Sequence, residues 1–412
     1  MSSKLPIAAV GAWLAVAVYY FYQYALRSAP SVMMPQLTEA FSVNALGVSA
    51  IVGMFYYAYS PFSLIAGTTL DRFGAKRVIP IGAAMVGIGA LMFGSGNIVA
   101  ANVGRFLQGA GGAFSLVGAV YLINKNFPAS MAASFIGATQ MFGMAGGSAG
   151  QFFVGPMIKH GLPWRQFWIY AGIGGLVIAG LLLIFLPKEE SRPATAGTNA
   201  FASAFASLKK VFLNPQSILC GLISGLLFIP TTILAMTWGV RFVQEGRGQE
   251  YDYAVTVAAM VPLGWMIGCP LLGFISDRLG RRKPVIFGGT LMVLAVLTWI
   301  LYGVPEILRG PAVGILLGIG SGAAMIPYSI IKEANPPELG GSATGFINFL
   351  NFTFSALLGP VFGSRLVEIS KGTETLTLEH YQAGFKPLLY GVILVLVLTC
   401  FLKETGSAAK KT

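Results

Sequence analysis

The clearest chemistry in this sequence belongs to an arginine that lies in a long apolar stretch beside phenolic side chains. Tyr24, Gln23 and Tyr20 precede Arg27 by three, four and seven residues, so all four share one helical face, which Ser31 extends. A guanidinium offers paired donors that match a carboxylate or phosphate, and it stays charged at any accessible pH. Because a charge inside a membrane is costly, Arg27 is a candidate for binding an anionic substrate.

Isolated polar residues in other apolar stretches are candidates to line the same cavity. In MFYYAYSPF, Tyr56 and Tyr59 share a helical face, while Tyr57 points elsewhere. Asparagines three residues apart, at 348 and 351, also share a face. The further candidates for substrate contact are Gln140, Tyr328, Asn348 and Asn351.

Each candidate also has a structural interpretation. Arg27 could bind a backbone carbonyl near Pro30 or extend to the membrane surface. Buried tyrosines usually find a hydrogen-bond partner, and polar side chains often only join helices.

The residues that are missing from the apolar stretches also carry information. None of the 15 acidic residues falls in the middle of such a stretch, and both histidines, His160 and His380, lie in loops between stretches. A proton-coupled symporter usually needs such a group, so uniport or exchange is favoured. Proton coupling stays open, because an arginine or a substrate carboxylate can take part in it. No Ser-His-Asp set, metal-ligand cluster or phosphate-binding loop is present, so no enzyme activity, metal or cofactor is expected.

The composition requires a lipid environment. Hydrophobic residues make up 55% of the chain and charged residues only 10%, so it cannot cover itself with polar surface. Segments of about 20 apolar residues span a bilayer. The sequence predicts an all-α membrane protein whose twelve spans lie at 7–37, 45–69, 78–96, 99–123, 131–158, 164–187, 215–240, 252–275, 284–304, 311–333, 342–367 and 381–402. They are numbered 1 to 12 below.

A repeated motif divides these spans into two halves. GTTLDRFGAKR follows span 2, and GFISDRLGRRK follows span 8, half a chain later. Such a spacing is typical of the duplicated bundles of secondary transporters. The predicted organisation is a six-helix bundle at 1–187, a cytoplasmic linker at 188–214, a second, pseudo-symmetric bundle at 215–402 and a tail at 403–412.

The basic residues predict the orientation. Most of them lie at the ends and loops that share a side with the termini, so both termini are expected to be cytoplasmic. This bias, with contact to anionic lipid, accounts for the net charge of +12, so no nucleic-acid partner is expected. Short loops without a usable glycosylation site favour a bacterial inner membrane. A monomer surrounded by lipid is expected.

These motifs resemble the signatures of the major facilitator superfamily, and the resemblance covers nearly the whole chain. Span 4 adds GRFLQGAGGA, similar to the family's R-x-x-Q-G pattern, and span 5 adds a looser glycine-rich pattern that ends at Gly155 and Pro156. The residues that match the family patterns are Gly67, Asp71, Arg72, Gly74, Lys76, Arg77, Arg105, Gln108, Gly109, Gly273, Asp277, Arg278, Gly280, Arg281 and Arg282. The spacing around Arg27 also resembles the organic-anion and organophosphate branches.

The resemblance implies a latch that stabilises the outward-open state. Gly67 would admit a neighbouring helix, Gly74 would form a tight turn, and Asp71 would cap a helix of the other half. The basic residues would pair with carboxylates or helix C-termini. Arg105 would serve the conformational change or bind ligand. The alternative is that the motif charges only set the orientation.

Three functions therefore remain open. The first is a transporter of small organic anions, phosphate esters or amino-acid-like zwitterions by alternating access. The second is a drug or siderophore exporter, which is disfavoured because export of cations normally needs an acidic residue in the cavity. The third is a membrane sensor, which would need an attached signalling domain.

Overall fold

The computed structural model describes most of the chain. The described residues are 7–127, 129–188, 208–303, 310–336, 339–371, 373 and 375–406, without the side chains of Thr68, Asp71, Arg72, residues 129–134 and Gly341. Most of the predicted linker, at 189–207, lies outside this part, as does the end of the tail.

The described part of the chain contains twelve helical spans. Eleven are long and apolar enough to cross a membrane, and the fifth, rich in glycine and alanine, completes the set. Their bounds are Ile7–Val32, Ala45–Phe73, Ala75–Gly94, Ile98–Asn126, Ala129–Phe152, Trp164–Phe185, Pro215–Gly246, Tyr251–Leu279, Lys283–Tyr302, Gly310–Glu333, Gly340–Ile369 and Leu378–Phe401. Two short helices, Met34–Phe41 and Val154–Lys159, follow spans 1 and 5. Span 1 is therefore shorter than predicted and span 7 longer.

The spans form two bundles of six that meet along two seams. The most extensive contacts between the bundles join span 2 to span 11 and span 5 to span 8. Exchanging the two bundles converts one of these pairs into the other, as a duplicated fold requires. We call the end of the assembly that carries Ile7 and Phe401 the terminus end, and the opposite end the far end.

The two D-R-x-G motifs lie mainly in helices, which corrects their prediction as loops. Span 2 continues to Phe73, so Gly67, Asp71 and Arg72 belong to its last turns. Only Gly74 separates it from span 3, with a φ of 77° that L side chains rarely adopt. In the second copy span 8 continues to Leu279, so Gly273, Asp277 and Arg278 are helical too, and Gly280 ends the helix in the left-handed conformation.

Span 7 departs from regular α-helix. Residues Pro230–Trp238 and Phe242–Gly246 are π-helical. Pro230 has no N–H to donate to the carbonyl four residues earlier, so the α-helical ladder is interrupted where the first π-helical segment begins. The segment is buried between the two bundles.

Hydrogen bonds close the far end between the two bundles. In each of these hydrogen bonds, a side-chain hydroxyl or amide of one bundle donates to a backbone carbonyl of the other bundle. We call this set the far-end closure, and it consists of Tyr251 Oη to Val32 O at 2.7 Å, Gln151 Nε2 to Ala235 O at 3.0 Å and Ser148 Oγ to Ala259 O at 2.5 Å. An exposed ion pair between Lys159 and Asp252 lies beside them.

Candidate functional site

Arg27 lies at the centre of the assembly, where spans 1, 2 and 11 meet. Arg27 is only 1% exposed to solvent. Nη2 donates to Gln23 Oε1 at 3.3 Å, whereas Nε and Nη1 are buried and make no hydrogen bond. No carboxylate among the described residues pairs with it. The guanidinium is therefore a buried cation with two donors unsatisfied.

Aromatic rings surround this guanidinium. Its Cζ lies 3.9 Å from the ring centroid of Tyr24, 4.6 Å from Phe55, 4.8 Å from Tyr59 and 4.9 Å from Phe352. Tyr56 is farther, at 5.7 Å. Ring faces attract a cation and partly replace its lost hydration. We call these five rings the aromatic cage.

The other predicted residues of span 1 extend the site toward span 5. Tyr20 packs against Tyr24 with ring centroids 4.9 Å apart, and its hydroxyl donates to Gln140 Oε1 at 2.7 Å. Gln140 Nε2 in turn lies 3.6 Å from the sulfur of Met325 in span 10. A chain of ring contacts and hydrogen bonds thus leads from Arg27 through Tyr24, Tyr20 and Gln140 to the second bundle.

The predicted residues of spans 10 and 11 form a second polar group. Asn351 Nδ2 donates to Tyr328 Oη at 2.9 Å, and Tyr328 Oη donates to Asn348 Oδ1 at 3.2 Å. Asn348 Nδ2 donates to Ser63 Oγ in span 2, and Ser63 Oγ donates to the carbonyl of Tyr59. The Oδ1 atom of Asn351 is buried without a partner. All ten predicted substrate-contact residues therefore lie in one connected region.

Arg105 serves a different purpose from Arg27. It donates to Leu26 O at 3.1 Å, Gln108 Oε1 at 2.7 Å and Val52 O at 3.3 Å, and so links spans 1, 2 and 4. The Leu26 carbonyl would normally accept from the residue four positions on, but that residue is Pro30, which has no N–H. The carbonyl freed near Pro30 is thus bonded by Arg105 rather than by Arg27.

The first latch motif is only partly described. The side chains of Asp71 and Arg72 lie outside the described part, and Arg77 is exposed at the terminus end. Among the described residues, no heavy atom of a neighbouring element lies within 4 Å of a Cβ built on Gly67 or on Gly273, so the described part shows no close helix approach at either glycine. Close approach occurs instead at Gly109, where an added Cβ would meet the carbonyl of Phe55.

The second motif forms a charged network within its own bundle. Arg282 donates to Asp277 Oδ1 at 2.5 Å and to Glu333 Oε1 of span 10 at 2.8 Å. Asp277 therefore pairs with a neighbouring arginine, while Arg278 and Arg281 are exposed. Burial alone would lower the pKa of the Arg282 guanidinium, but its bonds to Glu333 and Asp277 raise that pKa above the ordinary value.

The sequence prediction missed Phe55 and Phe352. Both are apolar residues in apolar spans, so their residue type does not indicate a role in the site. Phe55 lies one helical turn before Tyr59, on the predicted polar face of span 2, which was the available hint. Phe352 follows Asn351 directly, and only the pairing of span 2 with span 11 brings it to Arg27.

The described residues offer no other kind of reactive centre. No group of three or more His, Cys, Asp or Glu among them could hold a metal ion. Cys220, Cys269 and Cys400 are free thiols and lie in spans 7, 8 and 12.

Twelve spans in two related bundles, with a buried polar site where the bundles meet, define a multi-pass membrane transporter. The family model described as Major Facilitator Superfamily matches residues 16–360. The chain belongs to this superfamily, whose members are membrane transporters rather than enzymes.

Curated relatives match most of the chain at low identity. A hexuronate transporter of Bacillus subtilis (strain 168) is 25% identical, with 84% of this chain and 85% of the relative covered. A probable galactarate/D-glucarate transporter, GudP, of Escherichia coli (strain K12) is 22% identical, with 85% of each covered. The membrane sensor protein UhpC of Salmonella typhimurium (strain LT2) is 21% identical, with 92% and 88% covered.

Solved structures share the fold. A bacterial homologue of the human lysosomal transporter Spinster, in an inward-facing and unoccupied conformation, matches with a TM-score of 0.70 at 14% identity, covering 96% of each chain. The nucleoside transporter NupG (D323A mutant) matches with a TM-score of 0.71 at 14% identity, covering 95% of this chain and 99% of its own. The chain is thus a bacterial-type, multi-pass inner-membrane transporter of small organic solutes.

Proposed function

We propose that this transporter moves small hydroxylated organic acids across the membrane by alternating access, with Arg27 binding the substrate carboxylate. The observation that carries the proposal is the unsatisfied Arg27 guanidinium. An isolated buried charge costs several kcal/mol even after relaxation of the protein. A carboxylate could bond Nε or Nη1, each together with the remaining N–H of Nη2, in the bidentate geometry that arginine favours, and would thereby satisfy a free donor.

The second polar group supports the hydroxylated part of the proposal. The free acceptor of Asn351 and the free Nε2 of Gln23 can bond hydroxyl groups of a substrate whose carboxylate is at Arg27. Two of the relatives are named as transporters of hexuronate and of galactarate/D-glucarate. Each of these compounds carries a carboxylate and several hydroxyl groups. Phosphate esters and amino-acid-like zwitterions remain the alternative substrates.

The coupling and orientation belong to the same proposal. Among the described residues, no carboxylate or histidine contacts the Arg27 region, which favours uniport or exchange over proton symport. We place the terminus end in the cytoplasm, because the basic residues concentrate there. The far-end closure would then seal the outer side in this conformation. The protein would work as a monomer in the bilayer.

Uptake into proteoliposomes tests the proposal directly. Labelled glucuronate should enter vesicles that contain the wild-type protein, and Arg27→Ala should abolish its entry. Arg365→Ala is the matched control, since Arg365 is exposed near the far end of span 11. Unchanged uptake by Arg27→Ala would remove the anion site.

A comparison of driving forces tests the coupling. We expect uptake to respond to unlabelled substrate inside the vesicles rather than to an imposed proton gradient. Strong dependence on an inward acid gradient would establish symport instead. Substrate binding without any transport would identify a sensor.

A further inference from the structure

A cavity lies in the far half of the C-terminal bundle, apart from the Arg27 site. Its volume is about 290 Å³, and spans 7, 8, 9 and 10 enclose it. Its deep part is apolar, with Leu234, Val261 and Leu317 in its wall. From Tyr253 at the mouth to Val261 the helical rise of span 8 gives a depth of about 12 Å.

The mouth of this cavity is polar and lies at the far end. Arg247 is the only charged residue in its described lining. Its Nη2 and Nη1 donate to the carbonyls of Ile300 and Gly303 at 2.7 and 3.1 Å, at the C-terminal end of span 9. These bonds hold the cation at the rim, beside Gln249 and Tyr253.

This distribution of groups matches an amphiphile. An apolar shaft inside the bundle would hold a hydrocarbon chain, and a cation at the aqueous rim would attract an anionic head group. The volume is at the lower limit for small-molecule cavities, about 300 Å³, so it accommodates part of one chain rather than two chains.

We propose that this cavity binds a single-chain anionic amphiphile of the long-chain fatty-acid class, with its carboxylate at Arg247 and the half of its chain next to the head group in the shaft between spans 7 to 10. The site is independent of the substrate proposed above. One wall residue, Ala235, also accepts the Gln151 bond of the far-end closure, so an occupant would contact the turn of span 7 that closes the far end.

Tryptophan quenching tests the site, because Trp299 lies in its wall. The probe is 9,10-dibromostearate, added to the purified full chain in a non-ionic detergent. We expect saturable quenching that Trp299→Phe removes and that unbrominated stearate reverses. Quenching that only rises linearly with the probe, or that stearate does not reverse, would overturn the proposal without any variant.

Variants locate the probe and identify its head group. Val257→Phe should fill the cavity and weaken apparent binding at least tenfold. Val397→Phe, the same change at a valine 49% exposed on span 12, should not. Arg247→Gln, or the corresponding dibrominated alcohol in place of the acid, should bind at least tenfold more weakly. Equal binding of acid and alcohol, or quenching of Trp299 only by a brominated diacyl phospholipid, would refute the assignment.

Discussion

Replacing Arg27 by methionine should have opposite effects on the empty protein and on substrate binding. Methionine is unbranched and fills irregular space, so the change removes the charge and keeps most of the packing. Without substrate, the arginine has one bond to Gln23 and the aromatic cage, but no carboxylate partner in the part of the chain that the structure describes. Its removal should therefore relieve an uncompensated charge.

The magnitudes follow from these contacts. Desolvation of the ion costs several kcal/mol, of which the cage returns about 2 kcal/mol and the Gln23 bond about 1.5 kcal/mol. The variant should thus be more stable without substrate by about 1–2 kcal/mol. Two charge-assisted bonds to a carboxylate contribute about 1.5–3 kcal/mol each, so their loss should raise the Kd at least about 100-fold.

The assay pairs melting temperature with equilibrium binding of glucuronate, and Arg105 provides the matched control. Arg105→Met also removes a buried charge, but it leaves three buried acceptors without their donor at about 1–3 kcal/mol each, so it should destabilise the protein. The reasoning is refuted if Arg27→Met lowers the melting temperature as Arg105→Met does, or if its Kd changes less than tenfold.

Three further changes test other parts of the structure. Asn351→Leu removes the free acceptor, so affinity for hydroxylated acids should fall about tenfold while a competing acid of equal length without hydroxyls is unaffected; equal losses would contradict the hydroxyl contact. Gly109→Val should force spans 2 and 4 apart and lower the melting temperature by the equivalent of about 1–3 kcal/mol, unlike Gly174→Val, where an added Cβ has open space. Tyr251→Phe removes a hydrogen bond of about 1 kcal/mol from the far-end closure, so the far end should open about fivefold more often. The readout is the reaction rate of a thiol reagent with a cysteine introduced at the buried Val255, in a background without native cysteines. An unchanged rate would show that this bond does not limit opening.

The sequence predicted the spans well because hydropathy measures contact with lipid, which each span makes independently. It predicted the shared face of Arg27, Gln23, Tyr24 and Tyr20 because a helix converts spacing directly into direction. Asn348 and Asn351 could be proposed only as separate candidates. That they lie close to the Arg27 face could not be predicted, since it depends on how span 2 meets span 11.

Two features lay beyond sequence reasoning for identifiable reasons. In the sequence, the cage residues Phe55 and Phe352 cannot be told apart from phenylalanines that face lipid. Only the assembly of the bundles brings them to Arg27. The second feature is the contact of Arg105 with the Leu26 carbonyl, of which only the free carbonyl follows from Pro30 in the sequence. Which of two buried arginines would reach that carbonyl depended on the positions of spans 1, 2 and 4.

The π-helical turns of span 7 make this span unusual in its tolerance of changes in chain length. A π turn holds about one more residue than the α turn it replaces. Deleting a single residue between Pro230 and Trp238 would therefore convert that turn to α-helix, with little change in how the helix on either side faces its neighbours. The same deletion in a regular span would rotate every following side chain by about 100°. Span 7 is thus a place where the chain could lose one residue and still assemble the same two bundles.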